Sequence, residues 1–369
     1  MHKLTTLAVA AAVGLALLVL AAPAMASGGS RAVYTLTNEA SGNAVAVFDR
    51  AADGSLTPDG TVPTGGLGTG AGLGSQGALV LDDGRLFAVN AGDNTISMLR
   101  FGRGGAVSLT DVAPSGGVGP ISLTVRGKLV YVLNKGDATT PANIKGFLAL
   151  FGQLVPLPGS SRPLSSATPD PAQIEFSPNG RHLVVTEKAT NLIVTYRVGF
   201  FAFASDPNAQ PSAGETPFGF AFDKRGRLIV SEAFGGAPDA SVLSSYSLAA
   251  NGTITPITPN VATTETAACW VVVTKKGHFT YTTNTGSNSI SGYRIADDGG
   301  LTLLDADGVT AATGATPLDM ALTPGSRFLY TLNGGAPEVQ GFAVNRDGSL
   351  DVVGSVGGLP AGAVGLAAG

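Results

Sequence analysis

The segment FSPNGRHLVVTEKATNLIVTYRV, residues 176–198, decides the fold because its layout recurs further along the chain. It reads as the end of an apolar strand, a Pro-Asn-Gly turn, a second strand, a short polar loop and a third strand. The layout returns in FDKRGRLIVSEAFGG (222–236), VTKKGHFTYTTNTGSNSISGYRI (273–295) and LTPGSRFLYTLNGGAPEVQGFAV (322–344). A fourth strand follows a further turn, as in NRDGSLDVV (345–353). Each unit is therefore predicted to be a small antiparallel sheet.

The spacing of these units indicates the architecture. Their first strands are predicted to begin at Gln76, Pro120, Pro171, Pro217, Ala268 and Pro317. Successive starts lie 44 to 51 residues apart, and a period of about 40 to 50 residues with four strands per unit is typical of a β-propeller. The 52 glycines and 22 prolines fit an all-β chain with many tight turns.

The two ends of the chain supply complementary parts of one more unit. Before Gln76, the stretches 31–40, 43–50 and 55–62 provide only a second, a third and a fourth strand. The C-terminal segment LPAGAVGLAAG (359–369) has the Pro-then-small-apolar layout of a first strand. We expect Ala361–Ala367 to join the N-terminal blade, which gives a seven-bladed β-propeller with four antiparallel strands per blade. A frayed terminus is the alternative.

The N-terminal residues have the features of an export signal. A basic start at Met1–Lys3 precedes the apolar run Leu7–Ala22, and Ala24–Ala26 offers a small-x-small cleavage site. Residues 1–26 are predicted to be a removed signal peptide and residues 27–369 a single secreted domain. The alternative is a membrane anchor, for which the run is short against the ~20 residues of a spanning helix. After signal removal, no membrane span is expected.

Charge and cysteine content exclude several classes of protein. The chain has a formal net charge of −4 at pH 7, which gives it no electrostatic reason to bind nucleic acid. Its single cysteine, Cys269, cannot form an internal disulfide and lies in the apolar context ACWVVV, which predicts a buried thiol. We expect a monomer stabilised by packing.

The strand order fixes which face carries the site. Loops between second and third strands, and the connections between blades, open on one face, here called the loop face; the turns between first and second strands lie on the opposite, hairpin face. The loop face receives the long segments, such as NKGDATTPANIK (134–145) and SEAFGGAPDAS (231–241). We expect a small molecule, glycan or extracellular protein to bind there. The run GTGAGLG (68–74) is interpreted as a flexible blade connection rather than a phosphate loop.

One position of the repeat is polar in every complete unit. The second strand ends at Asn90, Asn134, Glu187, Glu232, Asn284 and Asn333. Asparagine at a strand end commonly bonds nearby backbone, which makes these residues structural or ligand-binding candidates. Glu187 and Glu232, on adjacent blades, are interpreted first as solvated loop charge. The alternative is that they act as acid and base or bind a cation such as Ca²⁺.

A second set of candidates lies where the first strands enter from the loop face. Asp319, Gln173 and Trp270 occupy corresponding places there. Asp319 joins the two glutamates as a candidate catalytic or calcium-binding residue, whereas Gln173 and Trp270 are candidate ligand-binding residues beside the channel. A Cys/His metal centre is excluded by composition, because the mature chain has only His182 and His278. Both follow hairpin turns and are predicted to be exposed on the hairpin face.

The repeat resembles known propeller families. YTTN (281–284) is similar to YVTN-type surface repeats, and FSPNGR (176–181) with its following strand resembles the lactonase-type seven-bladed family, which includes 6-phosphogluconolactonases and carboxymuconate-lactonising enzymes. In catalytic members, the resemblance implies a histidine, an arginine and a glutamate around the channel. The corresponding residues here are Ala172, Phe218 and Glu232, so only the glutamate is retained.

Two functions remain open from the sequence. The missing histidine and arginine favour a non-catalytic exported binding protein. The paired glutamates favour a lactone hydrolase or cycloisomerase that uses Glu232, with Glu187, Asp319 or a divalent cation.

Overall fold

The computed structural model describes residues 31–369, and the predicted signal peptide lies outside the described residues. These residues form seven sheets, each with a core of four antiparallel strands. In six sheets the four strands are consecutive in the chain, and in the seventh the C-terminal strand joins the first three. The innermost strand of each sheet contacts the innermost strand of the next, and the last contacts the first, which closes a ring. The predicted seven-bladed β-propeller is confirmed. Within the described part of the chain, no helix has the length and apolarity to cross a membrane.

The blades are numbered along the chain and their strands are given from the inside outward. Blade 1 contains β30 (Val364–Ala368), β1 (Ala32–Leu36), β2 (Ala44–Arg50) and β3 (Leu56–Pro63). Blade 2 contains β4 (Leu79–Asp82), β5 (Arg85–Asn90), β6 (Thr95–Phe101) and β7 (Val107–Pro114). Blade 3 contains β8 (Pro120–Arg126), β9 (Leu129–Asn134), β10 (Asn143–Leu150) and β11 (Gln153–Pro156), with the short β12 (Arg162–Pro163) also on β10.

The remaining blades follow the same order. Blade 4 contains β13 (Pro171–Phe176), β14 (His182–Glu187), β15 (Leu192–Arg197) and β16 (Asn208–Pro211). Blade 5 contains β17 (Pro217–Phe222), β18 (Leu228–Glu232), β19 (Val242–Leu248) and β20 (Ile254–Ala262). Blade 6 contains β21 (Ala268–Val273), β22 (Phe279–Asn284), β23 (Ser289–Ile295) and β24 (Leu301–Leu303), with β25 (Ala311–Ala312) on β23. Blade 7 contains β26 (Pro317–Leu322), β27 (Phe328–Asn333), β28 (Glu338–Val344) and β29 (Leu350–Gly357).

Ring closure follows the predicted pairing of the chain ends. Strand β30 pairs antiparallel with β1, placing Thr35 opposite Leu366 and Tyr34 opposite Ala367. The closing strand begins at Val364 rather than the predicted Ala361, because Pro360 to Ala363 form a turn. The C-terminal segment is therefore an inner strand and not a frayed tail.

Tyrosines tie neighbouring blades together. All seven tyrosines of the chain are fully buried. The Tyr281 hydroxyl of blade 6 donates to the Gly348 carbonyl of blade 7 (2.8 Å), and Tyr330 of blade 7 donates to Gly54 of blade 1 (2.7 Å). Because a buried hydroxyl needs a hydrogen-bond partner, each of these bonds fixes one blade against the next, while the aromatic side chain fills the core.

Candidate functional site

The polar residues that end the second strands are buried. Each of the six is 0% exposed: Asn90, Asn134, Glu187, Glu232, Asn284 and Asn333. Burial of an unpaired carboxylate or amide is costly, so their partners decide what they do. The preferred interpretation of Glu187 and Glu232 as solvated loop charge was therefore wrong.

The asparagines bond mainly to side chains of the third strand. Asn90 Nδ2 donates to Thr95 Oγ1 (3.0 Å) and Ser97 Oγ (2.7 Å). Asn284 Nδ2 repeats the arrangement with Ser289 and Ser291 Oγ, at 2.9 and 2.8 Å. The corresponding acceptors are Asn143 Oδ1 for Asn134, and Glu338 Oε1 and Gln340 Oε1 for Asn333. The expected bonding to nearby backbone is therefore largely replaced by bonding between strands of one blade.

Glu232 ends β18 inside blade 5, and four protein groups donate to its carboxylate. These are Ser212 Oγ (2.7 Å), the Gly214 amide (3.2 Å), Ser244 Oγ (2.6 Å) and the Tyr246 hydroxyl (2.7 Å). Burial raises the pKa of Glu232 above its usual range, while the hydrogen bonds from Ser244, Tyr246, Ser212 and Gly214 oppose that rise. The carboxylate joins the third strand to the connection that enters the blade.

Glu187 plays the same part in blade 4 with fewer donors. Its Oε1 accepts the Ser165 amide (3.0 Å), and its Oε2 accepts the Ser165 hydroxyl and Thr190 Oγ1, the latter at 2.7 Å. Ser165 belongs to the connection between blades 3 and 4. Both glutamates therefore anchor a blade connection, and both carboxylates accept hydrogen bonds from protein donors.

Apolar side chains that pack against their neighbours occupy the two positions where the family resemblance implies a histidine and an arginine. Ala172 is fully buried, and its carbonyl accepts a hydrogen bond from the backbone amide of Gln76 at 3.0 Å. Phe218 packs on Trp270 with ring centroids 5.1 Å apart, and the Lys188 Nζ lies 4.8 Å from the Phe218 centroid. The loop-face end of the channel is therefore mainly apolar at these places.

A segment from the connection before blade 2, residues 73–76, crosses this end of the channel; we call it the crossing segment. It contacts three other blades: Ser75 Oγ donates to the Ile121 carbonyl (2.8 Å), Lys188 Nζ to the Gly74 carbonyl (2.9 Å) and Trp270 Nε1 to the Ser75 carbonyl (3.0 Å). Gln76 lies in this segment, and β4 begins at Leu79, three residues later than predicted. The glycine-rich connection thus ends in a strongly bonded segment.

Two glutamine side-chain amides each donate to and accept from the backbone of one distant residue, as a neighbouring β-strand would. Gln76 donates to the Val271 carbonyl (2.8 Å) and accepts the Val271 amide (3.0 Å), which lies 195 positions away. Gln173 makes the same pair with Phe220, at 2.9 and 2.7 Å. Gln173 and Trp270, proposed as ligand-binding residues, are thus engaged in holding the channel wall and the crossing segment.

A cavity of about 290 Å³ lies in the channel, with Gln76, Gln173, Glu175 and Asp319 among its lining residues. Burial raises the pKa of Glu175 to about 8, and Gln173 Nε2 donates to its carboxyl at 3.1 Å. Burial also raises the pKa of Asp319, against hydrogen bonds from the Met320 amide (2.7 Å) and the Leu366 amide. Asp319 therefore faces the channel as expected, but at a distinct site from Glu187 and Glu232.

Sequence reasoning missed three residues of the channel. Glu175 follows Gln173 by two positions in an inner strand, so alternation places both on one face, and its charge in an apolar strand was the available signal. Gln76 and Lys188 gave no local signal, because their partners lie in distant blades.

The two histidines differ. His278 is exposed as predicted, whereas His182 is only 2% exposed, so its prediction as an exposed turn residue was wrong. His182 is the first residue of β14 and its backbone pairs with Arg197 on β15, which draws the side chain into the blade. Burial lowers its pKa.

The candidate calcium ligands do not converge. Among residues 31–369, no group of three or more His, Cys, Asp or Glu side chains is placed to hold a metal ion. Glu187 and Glu232 are bonded within separate blades, and Asp319 accepts backbone amides in the channel. These oxygen donors do not fit a shared calcium site.

Comparison with known proteins supports the family resemblance. Residues 241–360 match the model of the family "Lactonase, 7-bladed beta-propeller". No curated protein matches the chain. The predicted resemblance to lactonase-type seven-bladed propellers is confirmed.

Solved structures share the fold over most of the chain. A protein from Bacteroides uniformis, provisionally assigned as a 6-phosphogluconolactonase, is 16% identical with a TM-score of 0.73, covering 91% of this chain and 99% of its own. The periplasmic gluconolactonase PpgL of Pseudomonas aeruginosa is 18% identical with a TM-score of 0.65, covering 90% and 98%. A Lactobacillus plantarum protein is 19% identical with a TM-score of 0.73, covering 91% and 98%. At these identities the likeness concerns the fold.

Proposed function

We propose that this chain is an exported, non-catalytic propeller that binds a partner on its loop face. The observation that carries the proposal is the state of the channel mouth. Ala172 and Phe218 replace the histidine and arginine that the resemblance implies, and the crossing segment spans the same end through bonds to Ala172, Trp270 and Val271.

The retained glutamate argues in the same direction. Lactone hydrolysis needs a group that moves a proton and a cation or donor that stabilises the developing oxyanion. Glu232 is 0% exposed and holds four protein donors, so a substrate would have to displace the hydrogen bonds of Ser212, Gly214, Ser244 and Tyr246. Removing those bonds would disturb the blade connection as well as the carboxylate.

The closed mouth also indicates the mode of binding. With the crossing segment over the channel, the loop face offers a surface formed by its long connections, such as 135–142 and 233–241. A surface of this kind suits a glycan or an extracellular protein better than a small molecule held deep in the channel. The predicted signal peptide and the likeness to a periplasmic gluconolactonase support export.

A lactone hydrolase is the second candidate, and two observations favour it. Burial raises the pKa of Glu232, which suits a proton donor. The Lys188 ammonium lies over the Phe218 ring, next to the position where the resemblance implies an arginine. In this alternative, Lys188 would stabilise the oxyanion once the crossing segment moved.

The two candidates are separated by assays of residues 27–369. Gluconolactones, their 6-phosphorylated forms and aromatic lactones are offered with and without Ca²⁺, to the native protein and to Glu232→Gln. Glu187→Gln is the matched control, because it alters the equivalent carboxylate on the next blade. We expect no turnover above background with any lactone.

Turnover that Glu232→Gln abolishes and Glu187→Gln retains would overturn the non-catalytic proposal. Export is tested by expressing the full chain and measuring the intact mass of the protein outside the cytoplasm. The expected mass is that of a chain whose first residue is Ser27. A cytoplasmic protein that still carries residues 1–26 would contradict export.

A further inference from the structure

A surface groove lies on the hairpin face, away from the candidate site. It is a groove of about 590 Å³ between blades 6 and 7. Its walls are the turn between β21 and β22, the turn between β26 and β27, and the start of the turn after β28. A volume of this size is in the range of pockets that hold a small organic ligand.

The groove is lined by cations. Five basic residues face it: Lys275, Lys276, His278, Arg327 and Arg346. Its lining contains no Asp or Glu. This concentration of positive charge stands out in a chain whose formal net charge is −4.

The cations of the groove are not neutralised by ion pairs. Five ion pairs are formed among residues 31–369, and none includes a lining residue of the groove. The neighbouring turn of blade 5 shows the contrast, because Arg225 pairs with Asp297 (2.7 Å) and Arg227 pairs with Asp223. Unpaired, like-charged groups that share a concave surface raise the local potential and attract anions.

The groove is built on fixed turns. The Lys275 amide donates to Ser326 Oγ at 2.9 Å, which ties the two turns together. The Arg327 guanidinium lies 5.1 Å from the Phe328 ring centroid, and Arg294 lies 5.0 Å from that of Phe279, a residue of the groove wall. Stacking on buried rings limits the freedom of these guanidinium groups and reduces the entropy lost when a ligand binds.

A second depression continues the positive surface on the other side of Arg327. It has a volume of about 370 Å³ and is lined by Arg31, Arg50 and Arg327 among others. Arg50 is already engaged, since its Nη2 donates to the Gly369 carbonyl at 2.9 Å. Of the two concavities, the larger groove therefore holds more basic side chains.

We propose that this groove binds a small polyanion, an organic molecule that carries several negative charges as phosphate or carboxylate groups. Lys275, Lys276 and Arg346 supply exposed cations, and Arg327 supplies a planar donor fork suited to an oxyanion. Ser326 adds a hydroxyl to the lining, whereas the Asn345 amide already donates to Ser349 and Asp351. The site is independent of the proposed function, because it lies on the opposite face.

The test uses isothermal titration calorimetry at about 50 mM salt, where charge interactions are least screened. Tripolyphosphate and citrate are the probes, one for each oxyanion class, and the neutral sugar glucose is the blank. We expect saturable binding of at least one probe with a stoichiometry near one. The preferred probe identifies whether phosphate or carboxylate groups are recognised.

The variant Lys275→Gln, Lys276→Gln and Arg346→Gln removes three exposed groove cations. We expect about tenfold weaker binding, corresponding to about 1.4 kcal/mol. The matched control, Lys128→Gln, Lys135→Gln and Arg181→Gln, removes the same charge from exposed sites outside the groove and should bind within about twofold of the native protein. Unfolding curves of both variants establish that they are folded, and Arg346→Gln alone serves if the triple variant is not.

Absence of binding by both probes, or equal loss in the groove and control variants, would overturn the proposal. Binding only to a long polyanion such as heparin, without saturable binding of the short probes, would also overturn it. None of these outcomes bears on lactone turnover, so the polyanion proposal and the proposed function are tested independently.

Discussion

The two faces of this propeller differ in how their charged side chains are partnered. On the loop face, the carboxylates of Glu187 and Glu232 are buried and bonded to protein donors, and the channel mouth is crossed by residues 73–76. On the hairpin face, basic side chains line a groove without ion pairs of their own. Carboxylates at the end where the family resemblance implies catalysis stabilise the fold, and a group of basic side chains without ion pairs lies at the other end.

Ring closure supports both faces, and its removal is expected to have the largest effect. On the loop face, Asn38 Nδ2 donates to the Gly362 carbonyl (3.0 Å), and on the hairpin face Arg50 donates to Gly369. Deleting residues 359–369 should lower the free energy of unfolding by more than about 5 kcal/mol, because blade 1 loses its inner strand. Urea unfolding measures this.

A milder variant controls for gross misfolding. Leu366→Ala removes a side chain that is 6% exposed and should cost about 2 to 4 kcal/mol. Native stability in the deletion would contradict the role of closure and break the link between the two faces.

Glu232 tests whether the loop-face carboxylates are structural. Glu232→Ala leaves the donors of Ser212, Ser244 and Tyr246 without their acceptor, and we expect a loss of about 3 kcal/mol. Glu215→Ala, an exposed carboxylate on the same face, should change stability by less than about 0.5 kcal/mol. Equal effects in thermal unfolding would show that Glu232 does not differ from a surface charge.

The channel carboxyls predict a pH dependence. Glu175 has a folded pKa of about 8 against an ordinary value of 4.5, so the folded protein keeps a proton that the unfolded chain releases. Stability should therefore fall as the pH rises from about 5 to 8. Asp319, whose pKa burial also raises, acts in the same direction.

The variant Glu175→Gln isolates this contribution. Its melting temperature should decline less between pH 5 and pH 8 than that of the native protein, by about 2 °C or more. Parallel pH profiles of the two proteins would show that Glu175 is not held protonated in the channel.

The crossing segment can be examined through the single cysteine. Cys269 is 7% exposed beneath the loop face, and burial raises its pKa to about 11, so it should react slowly with a thiol reagent. Gln76→Ala removes both bonds to Val271 and should cost about 1 to 2 kcal/mol. We expect labelling to become about tenfold faster, since local opening is more populated.

Gln210→Ala is a matched control for this variant. Its side-chain amide also makes two backbone bonds to a neighbouring blade, to Gly252 (3.0 Å) and Ile254 (2.9 Å), but far from the channel mouth. The same increase in Cys269 labelling in both variants would mean that the crossing segment does not specifically close the mouth.

The sequence predicted the architecture well because each blade is a local unit. The repeat of strand, Gly turn and strand identified the seven blades, and the absence of a first strand before Gln76 identified the partner of residues 359–369. The polar position at the end of the second strand was also visible, because it recurs at a fixed place in the repeat.

The environments of those residues could not be read in the same way. Glu187 is buried because Ser165 and Thr190 surround it, and one of these belongs to the preceding blade connection. Gln76 gains its role from Val271, and the groove combines turns from two blades. Each of these environments depends on contacts between blades. The periodicity within one blade carries no information about such contacts.

The pairing of β30 with β1 also sets the order in which the fold can be completed. Thr35 Oγ1 donates to the Val364 carbonyl across 329 positions, so the inner edge of β1 has no strand partner until residues 364–368 have been synthesised. Blades 2 to 7 are built from continuous stretches and can form first. We therefore expect blade 1 to be completed last, with its open edge exposed to mispairing with another chain until then.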